Sequence, residues 1–200
     1  MLKRIIVGVT GASGAIYAQR LVTLLCSTEI EVHLVVSPLG QRLMHDELGM
    51  EGLNLTALAG NETAASRIVV HNYRDVGAVI ASGSFQNEGM IVIPCSSNTL
   101  SAVATGSSQN VLHRAAQVTL KERRKLVLVH RETPLSLVDI RNMASVTEAG
   151  GIICPANPGF YMLPRSMEEI ADFIVGRVLD LMGIKHTLRV RWGEGPCGDE

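Results

Sequence analysis

The chain opens on a β-branched apolar run, Ile5-Ile6-Val7-Gly8-Val9, which meets Thr10-Gly11-Ala12-Ser13-Gly14 and passes at once into a helical pattern. This grammar describes a buried first strand whose carboxyl end faces the N-terminus of a helix. Free backbone N–H groups and the helix dipole make such a junction a ready anion site, and small residues let a ligand approach the backbone closely. A dinucleotide fingerprint is excluded. The glycines fall at 8, 11 and 14, Ser13 stands where that pattern needs glycine, and the second strand ends in Ser37-Pro38 with no acid to hold a ribose. A phosphate-binding P-loop fails too, since no lysine follows Gly14. From this segment alone, a tight turn that binds nothing stays open.

Strand and helix patterns alternate through the rest of the chain. The spacing predicts strands over 5–9, 32–36, 68–70, 79–81, 89–93, 126–129 and 151–154, with Pro94 stopping the fifth. Helices are predicted over 15–26, through 42–48, and over 100–105, 111–121, 136–149 and 166–182. Residues 49–66 read only as a helix and loop. Strands separated by helices imply an α/β fold, a mostly parallel sheet covered on both faces. No repeat or linker divides the chain, so 1–200 is read as one domain.

Composition narrows the function classes. A net charge of −1 offers no electrostatic footprint for nucleic acid or an anionic membrane, and no run approaches the roughly 18 apolar residues of a spanning helix. Lys3-Arg4 before an apolar stretch imitates a signal peptide, but the run is too short and is needed as the first strand. Cys26, Cys95, Cys154 and Cys197 have neither metal-ligand nor redox spacing and read as reduced thiols of a cytoplasmic protein. Aromatic residues are only 4% of the chain, yet Phe160, Tyr161 and Trp192 all fall in its last fifth.

Ligands of parallel sheets bind at the carboxyl ends of strands, and polar residues gather at those predicted ends. They are Gly11-Ala12-Ser13, then Ser37 with Glu47 downstream, then Ser96-Ser97-Asn98-Thr99, then His130-Arg131-Glu132, then Asn157 through Tyr161. Each has a plain alternative: Ser96 to Thr99 as a helix cap, Arg131-Glu132 as a solvated pair, Phe160-Tyr161 as packing. Five such loops at one sheet edge favour a site. Arg114 and Lys121 share a helix face and read either as solvated surface or as cations for a phosphate. Arg177, in an otherwise apolar stretch, is a third cation, with outward snorkelling as its alternative.

Taken together, these segments resemble the UbiX-type flavin prenyltransferases. The resemblance is carried by Thr10-Gly11-Ala12-Ser13-Gly14-Ala15, Ser37 with Glu47, Ala81-Ser82-Gly83-Ser84-Phe85 and Ile93-Pro94-Cys95-Ser96 with Thr99-Leu100. It continues through Arg114-Ala115-Ala116, Leu120-Lys121-Glu122-Arg123-Arg124, Arg131-Glu132-Thr133-Pro134-Leu135, Pro158-Gly159-Phe160-Tyr161 and Arg191-Trp192, in the family's order. It implies a flavodoxin-like three-layer sandwich that assembles as a homo-oligomer, typically a dodecamer, with a C-terminal tail from about 185 packing on a neighbouring subunit. The implied reaction joins a dimethylallyl group from dimethylallyl monophosphate to N5 and then C6 of reduced FMN. The product, prenylated FMN, serves UbiD-type decarboxylases, including the one in ubiquinone biosynthesis. No metal is implied.

By the same resemblance, Gly11, Ala12, Ser13 and Ser37 hold FMN, completed by Ser96, Ser97, Asn98, Thr99 and Arg131. Tyr161 and Arg177 hold the prenyl phosphate, with Arg114 and Lys121 from a neighbouring part of the assembly. Glu47 and Glu132 serve proton transfers, Ser13 relays a proton near N5, and Trp192 adds an aromatic wall. Pro38 stands where the family often has lysine, and Met162-Leu163 follow Tyr161 where a polar residue is common. Three other readings compete. A decarboxylase of aromatic acids would have no electron sink but flavin. A cysteine-peptide decarboxylase shares the fold and a Pro-Ala-Asn-like loop, but here Pro155-Ala156-Asn157 runs into Pro158-Gly159-Phe160-Tyr161 and no histidine follows the first strand. A non-catalytic flavin carrier would not need Arg114, Lys121, Glu132 and Arg177.

Overall fold

The computed structural model describes residues 3–188 and 190. Six strands form one sheet: β1 (Lys3–Val9), β2 (Ile30–Val36), β3 (Ile68–Val70), β4 (Gly89–Cys95), β5 (Lys125–His130) and β6 (Ile152–Ile153). Their order is β3-β2-β1-β4-β5-β6, and every neighbouring pair is parallel. Eight helices join or flank them: α1 (Ala15–Cys26), α2 (Pro38–Leu48), α3 (Leu55–Ala59), α4 (Glu62–Ala65), α5 (Ser97–Thr105), α6 (Val111–Lys121), α7 (Leu137–Glu148) and α8 (Met167–Met182).

Two apolar layers follow from the alternation of side chains along the strands. Ile5, Val7 and Val9 face a core shared with α1, α3, α4 and α8, whereas Ile6 faces a second core built with α5, α6 and α7. Gly8 lies on the second face because α6 comes close: a Cβ there would meet Leu112 Cδ1 at 3.0 Å. The expected three-layer α/β sandwich is thus observed. The chain builds outward from β1 to β2 and β3, then returns to β1's other side and builds β4, β5 and β6. The order therefore reverses between β1 and β4, where such sheets form a crevice.

Several expectations need correction. Val79–Ala81 is a short 3-10 turn rather than a strand, ending at Ser82-Gly83-Ser84, whose carbonyls are tied elsewhere. Arg124 donates to the carbonyls of Gly83 and Phe85, both at 2.8 Å. Pro94 does not stop β4, because the ladder to β5 shifts register between Val92 and Cys95 and so does not call on the missing N–H. The last strand shrinks to Ile152–Ile153. Residues 49–66 contain two short helices, α3 and α4, started by Asn54 and Asn61, whose side chains accept from the N–H groups of Ala57 and Ala64 at 3.0 and 2.8 Å.

The start of the tail is described as far as Val190. That residue is buried and seats on Gly176 of α8, where a Cβ would lie 2.6 Å from Val190 Cγ2. His186 pairs with Asp180 at 3.2 Å. This part of the tail packs on its own chain; residues 191–200, with Arg191, Trp192 and Cys197, lie outside the described residues. Among the described residues no helix is long and apolar enough to cross a membrane.

Candidate active site

Between β1 and β4, where the strand order reverses, one hydroxyl ties the two strands together. Thr10, which is buried, donates its side chain to the carbonyl of Pro94 at 2.8 Å and accepts from the N–H of Ser96 at 2.8 Å. Its own N–H reaches the same Pro94 carbonyl at 3.2 Å. Ser96 then starts α5, accepting from Thr99 N–H at 3.4 Å. Thr99 is itself buried, its hydroxyl directed at Ser96 and His113. Ser97, half-buried, and Asn98, exposed, follow on the first turn of α5.

On the β2 side, Ser37 starts α2 by accepting from Gly40 N–H at 3.0 Å, and its own N–H binds the Val9 carbonyl at 2.9 Å. Gly40 permits this closeness: a Cβ would sit 2.7 Å from the Val9 carbonyl oxygen. Gly11 likewise rests on Leu39, with a built Cβ 2.5 Å from Leu39 Cβ. Glycine at 11 and 40 therefore lets the loop after β1 and the first turn of α2 lie against each other.

The anion site expected at the start of α1 is present, but the protein fills it. Gly14, at φ +117°, gives α1 no side-chain cap. Instead Glu47, from the last turn of α2, accepts from Gly14 N–H at 2.9 Å and Ala15 N–H at 2.7 Å. Helix dipole and carboxylate suit one another, so a phosphate is not the natural occupant of this position. Ser13, the neighbour of that turn, is exposed.

At the end of β5, Arg131 is exposed and its N–H binds the Cys95 carbonyl at 3.2 Å. Glu132 is also exposed; its Oε1 accepts from Thr133 N–H at 3.1 Å and its Oε2 from the Ser97 hydroxyl at 3.3 Å. Ser97 and Glu132 thus join the β4 and β5 loops. Two neighbours were not legible as site residues. Tyr17 on α1 has its phenol held above the ordinary range by burial, with nearby Arg131 lowering it and nearby Glu47 raising it. Its sequence signal is that it is the first aromatic of an aromatic-poor chain. Asp139, on the first turn of α7, faces the same loops from behind; its signal was hidden inside an ordinary Ser-x-x-Asp helix start.

The remaining predicted residues divide. Tyr161 stacks edge-on against Phe173 of α8, ring centroids 5.8 Å apart, and Arg177 stands one turn beyond Phe173 on the same helix. Arg177 also pairs with Asp180 at 3.4 Å and lies near enough to Cys154 to lower its thiol, which burial otherwise raises. Tyr161 and Arg177 therefore border the β6 edge of the carboxyl side. Lys121 does not join them within one chain. It ends α6 just before β5 begins, at the opposite, amino edge of the sheet, paired with Glu122 and beside Gly83. Arg114 is an exposed residue on the first half of that helix. Among the described residues no group of His, Cys, Asp and Glu is arranged to hold a metal ion.

The donors at the crevice fit a flavin mononucleotide. Hydroxyls of Ser13, Ser37 and Ser96 suit a polyol and phosphate, helices α2 and α5 both point their N-termini there, and Arg131 supplies a cation.

Known proteins agree with this geometry. The family model described as Flavoprotein matches residues 2–179. The flavin prenyltransferase UbiX of Halalkalibacterium halodurans is 46% identical, over 94% of this chain and 92% of that protein. The crystal structure of AnUbiX (PadA1) in complex with FMN and dimethylallyl pyrophosphate superposes with a TM-score of 0.85 at 42% identity, covering 92% of this chain and 94% of that one. A dodecameric FMN-dependent UbiX-like decarboxylase from Escherichia coli O157:H7 gives a TM-score of 0.86 at 39% identity, covering 94% and 98%. With its switch-point crevice lined by the motif residues and these relatives spanning nearly its whole length, the chain belongs to the Flavoprotein family, among the UbiX-type flavin prenyltransferases.

Proposed function

We infer that this chain is a flavin prenyltransferase that moves a dimethylallyl group from dimethylallyl monophosphate to N5 and C6 of reduced FMN. This reading is supported by the position of Ser37, Ser96, Ser97, Arg131 and Glu132 at the carboxyl ends of β2, β4 and β5, beside the β1/β4 switch point, with Ser97 and Glu132 in contact. Gly11, Ala12, Ser13, Ser37, Ser96, Ser97, Asn98 and Arg131 hold the flavin nucleotide. Thr99 contributes by holding the α5 turn, its N–H donated to Ser96 and its side chain buried and bonded inward. Reduced flavin supplies the nucleophilic nitrogen and carbon.

The protein's own share of the chemistry concerns the leaving phosphate, water and protons. An allylic C–O bond breaks more readily when fixed cations neutralise the departing oxygen, a task for Arg177 and the Tyr161 phenol. Arg114 and Lys121 reach that phosphate from a neighbouring subunit, since within one chain Lys121 sits at the opposite sheet edge. Such sharing requires a homo-oligomer, and the dodecamer of the E. coli relative is the assembly we propose. Trp192 is assigned to the aromatic wall that keeps water from the allyl cation. Glu132 takes up the proton lost when the second bond forms. Ser13 relays a proton, and Glu47 acts from the start of α1, where its negative charge also orients the loop. The prenylated flavin then passes to a UbiD-type decarboxylase. The unpaired cysteines Cys26, Cys95 and Cys154 support a reducing, cytoplasmic setting.

Anaerobic incubation with reduced FMN and dimethylallyl monophosphate, followed by mass analysis of the extracted flavin, tests the reading. A gain of one prenyl unit that depends on protein is expected, with the diphosphate as the comparison donor. Flavin recovered unchanged with both donors overturns it. Glu132→Gln is expected to bind flavin normally while turnover falls by at least about a hundredfold, the scale of a lost general base; a flavin carrier would lose nothing.

A further inference from the structure

Glu132 does not meet solvent alone. Behind it, within reach of Ser97, lies Asp139, which is buried at the start of α7 where α5 and α7 pack together. Ser136 donates to Asp139 Oδ2 from both its hydroxyl, at 2.6 Å, and its N–H, at 3.0 Å. These bonds, the Ser97 hydroxyl and the neighbouring His130 together hold the Asp139 carboxyl below the ordinary range and so keep it ionised. On its other side the same Ser97 hydroxyl lies 3.3 Å from Glu132 Oε2.

A serine hydroxyl has one proton to donate. It cannot serve two carboxylates at once, and it can accept only from a protonated partner. We propose that Asp139 is a positioning residue for Glu132, with Ser97 as a two-position rotor between them: Ser97 donates to Glu132 while that carboxylate is ionised, and turns to Asp139 when Glu132 takes up a proton. The proton on Ser97 stays on Ser97; only its direction changes. In the second position the Ser97 oxygen accepts from the newly formed Glu132 acid, so both protonation states have a satisfied partner and Glu132 need not swing away. The other charged neighbours are His130 and Arg131 at the end of β5, with Tyr17 and Glu47 beyond Arg131 on α1 and α2. None of them offers a hydroxyl between two carboxylates.

This inference rests on the reading of Glu132 as the proton acceptor, and the test separates the two. Ser97→Ala removes the rotor without touching the cap of α5, which is Ser96. Asp139→Asn removes the second carboxylate while keeping an oxygen for the α7 cap. Each variant is examined without ligand, by isotope-edited infrared spectroscopy of labelled glutamate with Glu132→Gln assigning the band, and in turnover across pH. Losing a donor disfavours ionised Glu132, so the acidic limb of the rate profile rises in Ser97→Ala. Losing a nearby negative charge has the opposite sign, so it falls in Asp139→Asn. Shifts of about one pH unit are expected, the size of one charge-assisted hydrogen bond, with the Glu132 carboxylate band also moving in opposite directions. Merely structural damage lowers turnover at every pH without displacing the limb. Unmoved bands and limbs in both variants, with Glu132→Gln inactive, overturn the rotor alone. Full turnover in Glu132→Gln overturns the parent reading and the rotor with it.

Discussion

Thr10 shows how much one side chain can hold. Its hydroxyl satisfies a carbonyl on β4 and the N–H that begins the α5 turn, across the crevice where flavin is expected. Thr10→Val keeps the shape but leaves the Ser96 N–H without its partner and the Pro94 carbonyl with only the Thr10 N–H. The expected loss is about 1–3 kcal/mol of stability, read from urea unfolding, together with weaker flavin binding because the Ser96 turn loosens. Unchanged stability would mean that water replaces the hydroxyl. Residues of this kind are hard to foresee: the sequence marks Thr10 as part of a turn, but its partners lie 84 and 86 positions away. Glu47 and Asp139 are the same case, since each acts on an element that its local sequence does not name.

At the scale of elements, pattern carried further. The α6 helix runs over Val111–Lys121 as its periodicity predicts, started by Asn110, a buried cap that accepts from His113 N–H at 2.9 Å. Strands β1, β2, β4 and β5 are apolar runs buried on both faces, which parallel sheets impose. The failures are the short pieces. Val79–Ala81 has strand composition but no neighbour to pair with, and the sheet's second edge needs only Ile152–Ile153. Close approach of α2 to β1 is a further element-scale feature. Gly40→Ala would drive a methyl group into the Val9 carbonyl, so α2 must retreat at a cost of about 1–3 kcal/mol. Ser37 would move with it, and flavin affinity should fall together with the thermal midpoint. A drop in the midpoint with affinity intact would show that Ser37 is not part of the nucleotide site.

For the molecule as a whole, the titratable groups set a direction with pH. Glu31 is held below the ordinary carboxylate range by its hydrogen bond with His33, assisted by Arg4. Such a group contributes stability that is lost as pH falls through its folded value. Burial lowers His71, with His33 adding to the effect, and burial lowers His113. A histidine that protonates less readily when folded leaves the unfolded chain with more protons, so stability is lost as pH drops below about 6.5. Urea midpoints should therefore be higher at neutral pH than in mild acid, and His71→Gln should flatten part of that slope; a slope left intact would assign it elsewhere. Lys121 was the least legible of the site candidates, because its distance from the switch point shows only once the two ends of the sheet are known. Glu47 has a consequence at this scale as well. By lending its own carboxylate to the start of α1, the chain carries a tethered competitor for that berth, at an effective concentration that a dissolved ion rarely matches. Free phosphate in the surrounding fluid is thereby turned away from the first strand's helix, and the nucleotide must be recognised by the rest of its shape.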